Sequence, residues 1–333
     1  QCYDSFAHVK CIGEVEIVLK IKGLNKKYNK LKALDALDMN IERGSIYGLV
    51  GQNGAGKTTL MRIVSGVLSF DSGDIKIDNM DMKKQYSGIK EKIAFIPDSF
   101  AYHYNITIEE YMEFFASCYG FEGLRARQRY TKLLKMLSLD DKMQSLVGSL
   151  SRGMQQRLSL ARALINDPEF IIMDEPTSGL DPKTNYSFKE LIRQLNSEDR
   201  TILISSHMLS ELSELCSDIG VIDHGHMVIE SSLSDILNKF NNTNPIKIRI
   251  MGNEDKAFKI FREDVNVRHV SARGGIFFIK FTGTKRDEAA LLKKLVAEDI
   301  PVSEFMREEA KLETLFMDIT ASNKERIIIE NDY

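Results

Sequence analysis

Residues 46–59 read IYGLVGQNGAGKTT, and the way this stretch divides decides the fold. Ile46 to Val50 is apolar and runs into a glycine, as a buried strand does, and Leu60 to Val67 then carries apolar residues at helical spacing. Between them Gly51, Gly56, Lys57 and Thr58 satisfy G-x-x-x-x-G-K-[ST], with Gln52, Asn53, Gly54 and Ala55 in the variable positions and Thr59 following. The glycines let backbone N–H groups converge on phosphate oxygens, the helix N-terminus adds positive potential, and Lys57 places a point charge on the terminal phosphates. Thr58 is then a ligand for Mg²⁺. A glycine-rich turn with a surface lysine is the plain alternative. Strand before and helix after are the context a phosphate loop requires.

A second apolar run, FIIMDE at 170–175, ends in two carboxylates. Asp174 is suited to share Mg²⁺ with Thr58, and Glu175 to orient or deprotonate an attacking water. Acidic residues after a strand are by themselves more often a solvated loop entry. Beside a phosphate loop they make a nucleotide-hydrolysing site.

The chain has 333 residues, about two domains at ~150 residues each. Hydrophobic residues at 43% and charged residues at 28% are a globular composition, which excludes wholesale disorder. Lys and Arg number 45 against 48 Asp and Glu, so the net charge of −3 offers no overall basic field for nucleic acid or an anionic membrane. No nucleic-acid partner is expected. Cys2, Cys11, Cys118 and Cys216 are scattered without a C-x-x-C pair, which fits reduced thiols in a cytoplasm. No run approaches the ~18 consecutive apolar residues of a membrane-spanning helix. Residues 1–20 include Asp4, Glu14 and Glu16 and lack the apolar core of a signal peptide, and residues 1–15 are read as a leader or appended segment outside the fold.

Outward from the two motifs, strand-like runs alternate with helical segments: Ile93 to Ile96, Thr201 to Ile204, and Gly220 to Ile222 followed by Met227 to Ile229 around a His-Gly turn. From about 98 to 150 the strand signal gives way to helical periodicity, with Tyr111, Phe114, Phe115, Leu133, Leu134 and Leu137, which predicts a helical insertion. NNTNP at 241–245 reads as a linker closing a first domain over 16–240. Beyond it, 246–251 and 276–281 read as strands and Glu288 to Ala297 as a helix, a small α+β accessory domain over 241–320 with a tail at 321–333.

Leu150 to Arg157, LSRGMQQR, resembles the signature of the ATP-binding-cassette (ABC) ATPases, L-S-G-G-Q followed by x-Q-R. Leu150, Ser151, Gly153, Gln156 and Arg157 match, and Arg152 and Met154 depart. The family's motif order continues with SGLD at 178–181, similar to its D-loop and including Asp181, and with His207, similar to its switch histidine. The resemblance spans about residues 16–235. It implies an α/β phosphate-loop NTPase cassette with a mixed sheet and a helical insertion, binding ATP and Mg²⁺. It also implies that Ser151 and Gly153 reach the γ-phosphate on a second cassette, a homodimer being expected. Tyr28 falls where the family carries an adenine-stacking aromatic, and Asp98 falls where it carries glutamine or glutamate near the metal, here one methylene shorter than glutamate. His207 is then a γ-phosphate contact.

The family resemblance implies an ATPase subunit that powers a separate transmembrane permease and meets the membrane only through it. KLETLFMDIT at 311–320 resembles the C-terminal extension of bacterial ATPases serving antibiotic, peptide or multidrug exporters. Two other readings are a non-transport ABC ATPase on ribosome or DNA, and a regulatory cassette with weak hydrolysis. The single phosphate loop and the modest gap between Lys57 and Asp174 oppose the first, and Glu175 opposes the second. His224 and His226 flank Gly225 in a metal-like H-G-H, but a tight hairpin turn explains them. Tyr102, Tyr104, Tyr111, Phe114, Phe115 and Tyr119 read as the core of the helical subdomain, part of it forming a partner groove, rather than as nucleic-acid stacking platforms.

Overall fold

The computed structural model describes residues 16–98, 105–236 and 244–307. Cys2, Cys11, Tyr102, Tyr104 and the 311–320 segment lie outside them. The chain divides into two compact units, Gln1–Glu230 and Ser231–Tyr333.

The first unit holds two sheets. β1 (Ile17–Tyr28) pairs antiparallel with β2 (Leu31–Glu42) and with β4 (Ser72–Ile77), and β5 (Met80–Asp81) closes the far edge. The second sheet runs β10-β9-β3-β8-β7-β6, from β3 (Ile46–Val50), β6 (Ile93–Ile96), β7 (Phe170–Met173), β8 (Thr201–Ser206), β9 (Asp218–Asp223) and β10 (His226–Ser232). β3 pairs parallel with β8 and β9, and β7 with β6 and β8. β3, β7 and most of β8 are apolar and wholly buried, as central parallel strands must be. Their C-terminal ends therefore lie side by side, and the Gly51 loop, Asp174 and His207 all follow directly from those ends.

The loop after β3 leads into α1 (Lys57–Val64), whose Leu60, Ile63 and Val64 share one core with Leu19 and Ile21 of β1 and Leu49 of β3. A short α2 (Tyr86–Lys92) precedes β6. The described part of the insertion between β6 and β7 is mainly helical, with α3 (Ile108–Cys118), α4 (Gly123–Met136) and α5 (Arg152–Ala163). Thr107 opens α3 with a capping box to Glu110. Tyr111 is buried in this layer, while Phe114 and Tyr119 are exposed. α6 (Pro182–Ser197) follows the SGLD turn, and α7 (Leu209–Ser213) follows His207.

The second unit is β11 (Ile246–Ile250), α8 (Glu254–Glu263), β12 (Val267–Arg273), β13 (Ile276–Phe281), α9 (Lys285–Ala297) and β14 (Val302–Arg307). Its strand order β12-β13-β11-β14, with β11–β13, β11–β14 and β12–β13 all antiparallel, is the split βαβ arrangement. Alternation supplies the core: Ile246, Ile248 and Ile250 pack with Phe277, Ile279, Phe261 and Leu291.

Candidate active site

The phosphate loop requires glycine at two turns. Gly54 and Gly56 have φ of 85° and 113°, and a Cβ on Gly56 would stand 2.6 Å from the Ala33 carbonyl oxygen. Gly56 also sits at the N-cap of α1, where no side chain caps the helix. The amides of that first turn thus present the positive end of the helix to the loop. Lys57 is 5% exposed and its ammonium donates to the Gly51 carbonyl at 2.7 Å and to the Gln52 carbonyl at 3.3 Å. It also stands 3.3 Å from Glu175 Oε1.

Asp174 and Glu175 leave β7 together and are held by one hydroxyl from the neighbouring strand. Ser205 Oγ donates to Asp174 Oδ1 at 2.7 Å and accepts the Glu175 N–H at 2.9 Å. Glu175 adopts φ 44°, a left-handed conformation that is strained for a non-glycine residue and that turns its carboxylate toward Lys57. His207 Nδ1 lies 3.1 Å from Glu175 Oε2. Burial pushes the Asp174 carboxyl above the usual carboxylate range, against the hydrogen bonds from Ser205 and Thr58, while Glu175 and Asp98 add repulsion. A buried carboxylate beside a threonine hydroxyl is a hard-oxygen donor set of the kind Mg²⁺ takes alongside substrate phosphate oxygens.

These groups open onto a cleft of about 530 Å³. Its lining runs from Asp98, Glu175, Lys57 and Thr58 through Gln52, Asn53, Gly54, Gly56 and Thr59 to Tyr28 and His224. Tyr28, at the end of β1, is 44% exposed, with the Lys26 ammonium 5.7 Å from its ring centroid. The loop, both strand-end carboxylates, His207, Asp98 and Tyr28 are thereby brought together.

Gly51 and Ala55 shape the loop without lining the cleft. Gly51 has no room for a Cβ against the Ile222 carbonyl oxygen at 2.6 Å, and Ala55 O accepts the Gly225 N–H at 2.9 Å. Ser151, Gly153 and Asp181 form a separate cluster away from that lining. Ser151 caps α5 by accepting the Met154 N–H at 3.4 Å. Asp181 caps α6 by accepting from the Thr184 hydroxyl and from the Thr184 N–H at 3.1 Å, and these two bonds hold its carboxyl below the ordinary value. Gly153 packs on Thr184, 2.4 Å from its Cγ2 to an ideal Cβ, and the Arg152 guanidinium covers Gly179. The two helix N-termini are thus fastened to each other.

Two residues of the site, Ser205 behind the carboxylates and His224 on the cleft wall, escaped the motif reading. Ser205 was recoverable from strand pairing, because Met173 pairs with Ile204 and so sets Ser205 beside Asp174. His224 read only as a turn residue. The turn is there, with His224 at φ 46° and Gly225 at φ 82°, but its back is pinned to the phosphate loop.

A buried phosphate loop on parallel strand ends, with a strand-end carboxylate pair and a helical insertion, defines a nucleoside-triphosphate-hydrolysing cassette. The family profile described as ABC transporter matches residues 34–178. The bacitracin transport ATP-binding protein BcrA of Bacillus licheniformis is 32% identical over 303 residues, covering 90% of this chain and 96% of that protein. The linearmycin resistance ATP-binding protein LnrL of Bacillus subtilis is 28% identical over 305 residues, 91% and 98% of the two chains. Among solved structures, a dimeric post-hydrolysis state of an ATP-binding cassette with ADP and Pi matches at TM-score 0.59 and 27% identity, covering 65% of this chain and 98% of that one. The chain belongs to the ABC transporter family as an ATP-binding subunit, and its cassette is an ATPase.

Proposed function

We propose that this ATPase drives export of an antibiotic or peptide through a separate membrane permease, working as a pair of cassettes. Among the described residues no helix is long and apolar enough to cross a membrane, so the reading assigns the pathway to another polypeptide. The export direction is supported by the bacitracin and linearmycin relatives, which align over 90% and 91% of this chain, more than the cassette alone.

In this reading Lys57 and the α1 amides neutralise phosphate charge, and Glu175 takes the proton of the attacking water. Its carboxylate is held for that task between Lys57 and His207. Mg²⁺ would be held by Thr58 and Asp174, with Asp98 nearby, and would supply neutralisation of phosphate charge. Ser151 and Gly153, on the helix N-terminus away from the cleft, serve the phosphate of the opposite cassette. The observation that carries the reading is the meeting of Lys57, Asp174, Glu175 and His207 at adjoining strand ends.

A groove of about 870 Å³ beside α1, α2 and α3 is the permease seat in this account. Tyr86, Phe115 and Tyr119 line it together with Arg62, Lys90 and Arg162. Its floor includes Phe95 and Pro97, and the next residue, Asp98, lines the cleft. Movement at the nucleotide is thus one residue away from the groove. Co-expression with the partner membrane protein and reconstitution in vesicles tests the proposal: ATP-dependent accumulation of a peptide antibiotic is expected, and ATP turnover that never couples to a co-purifying membrane protein would overturn it.

A further inference from the structure

The structure assigns His224 to the nucleoside end of the cleft, where its Nε2 accepts a hydrogen bond from a ribose hydroxyl of the bound nucleoside triphosphate. The inference rests on reading the cleft as the ATP site.

The turn that carries His224 is wedged between two walls. On one side the Gly225 N–H donates to the Ala55 carbonyl of the phosphate loop at 2.9 Å. On the other the Asp35 N–H donates to the Gly225 carbonyl at 3.0 Å, and a Cβ on Gly225 would stand 2.8 Å from the Ala33 oxygen. Histidine is among the residues that tolerate the left-handed φ of 46° required here. The imidazole is therefore delivered to the cleft wall by a backbone that has little freedom to move.

The adjoining residues fix which end of the ligand it meets. Ala33, against which the turn packs, belongs to the same β1–β2 hairpin as Tyr28, Leu31 and Lys32, and all four line the cleft with His224. The phosphate end is already furnished by Lys57, Thr58 and Glu175. A residue sharing the Tyr28 wall faces the base and sugar.

The ring orientation fixes which atom it offers. His224 Nδ1 lies 2.9 Å from Asp223 Oδ1 at the end of β9. Asp223 is 3% exposed, and its Oδ2 has no hydrogen-bond partner among the described residues. A carboxylate only accepts, so Nδ1 carries the proton, and the lone pair remains on Nε2. The His224 side chain is 64% exposed, and with Nδ1 engaged by Asp223 the nitrogen left for a hydroxyl donor is Nε2.

The test is titration of wild type, His224→Asn and Lys57→Ala with ATP, 2′,3′-dideoxy-ATP and inorganic tripolyphosphate. Asparagine keeps a donor for Asp223 and tolerates the left-handed turn, but is too short to reach the ligand. His224→Asn should weaken ATP about 3- to 10-fold, leave tripolyphosphate unchanged and erase the wild-type preference for ATP over the dideoxy analogue. Equal weakening of tripolyphosphate, or a dideoxy penalty that survives in His224→Asn, overturns the assignment while Lys57→Ala still loses both phosphate ligands. If Lys57→Ala keeps wild-type ATP affinity, the cleft reading falls and the assignment falls with it.

Discussion

His207 Nδ1 stands 3.1 Å from Glu175 Oε2, while the other oxygen of that carboxylate faces the Lys57 ammonium at 3.3 Å. Glu175 is thus held from two sides, by the first residue of α1 and by the residue that follows β8. Removing one anchor leaves the carboxylate in place but free to turn. His207→Ala should cut ATP turnover about 10²-fold with nucleotide affinity within about threefold, read from phosphate release beside equilibrium binding. Turnover within a factor of two of wild type would deny His207 a part in the site.

Ser205 serves both carboxylate residues with one hydroxyl that is completely buried. Ser205→Ala leaves Asp174 Oδ1 short of a donor and the Glu175 N–H short of an acceptor. A loss of about 1–3 kcal/mol of stability is expected, seen as a lower midpoint in denaturant, together with reduced turnover. An unchanged midpoint would show that water replaces the hydroxyl.

Asp174 carries a stability cost of its own. Burial raises its folded pKa above the ordinary 3.8. The folded chain therefore holds the proton more tightly than the unfolded one, and the contribution to stability is greatest below 3.8 and is lost as pH rises through the raised value. The penalty grows as pH rises above 3.8 toward neutrality. Asp174→Asn should melt about 2–4 °C higher than wild type at pH 7 in the absence of metal and nucleotide, and should lose that advantage near pH 3. A variant that melts lower at pH 7 would reverse the sign.

The groove beside α1 predicts a separation of coupling from chemistry. Val67 lines it and is 68% exposed, so Val67→Glu burdens the surface rather than the core. ATP turnover of the isolated subunit should stay within about twofold, while ATP-driven transport with the permease falls at least tenfold. Full transport by the variant would move the permease seat elsewhere.

The phosphate loop, the four apolar strands that precede site residues and the helical insertion were all legible, because buried parallel strands read as unbroken apolar runs and the loop has a fixed spacing. The antiparallel sheet of β1, β2 and β4 was not. β2 reads LKALDALDMNIE, full of helix formers, and Ala36 at φ 47° breaks its alternation, so only the pairing with β1 makes it a strand. β12 and β14 were missed for a related reason: both are edge strands, β12 exposed along most of its length and β14 without a fully buried residue. In the site, residues contributed by motif spacing were found, whereas His224 depends on a contact between residues 55 and 225 that no local pattern announces.

The central claim is that the carboxylate held between Lys57 and His207 activates water for ATP hydrolysis. The direct measurement is steady-state phosphate release by Glu175→Gln beside its ATP affinity and its state of association. The account predicts ATP affinity within about threefold of wild type, a dimer trapped with ATP, and turnover lower by about 10²–10⁴-fold. Turnover equal to wild type at unchanged affinity would contradict it.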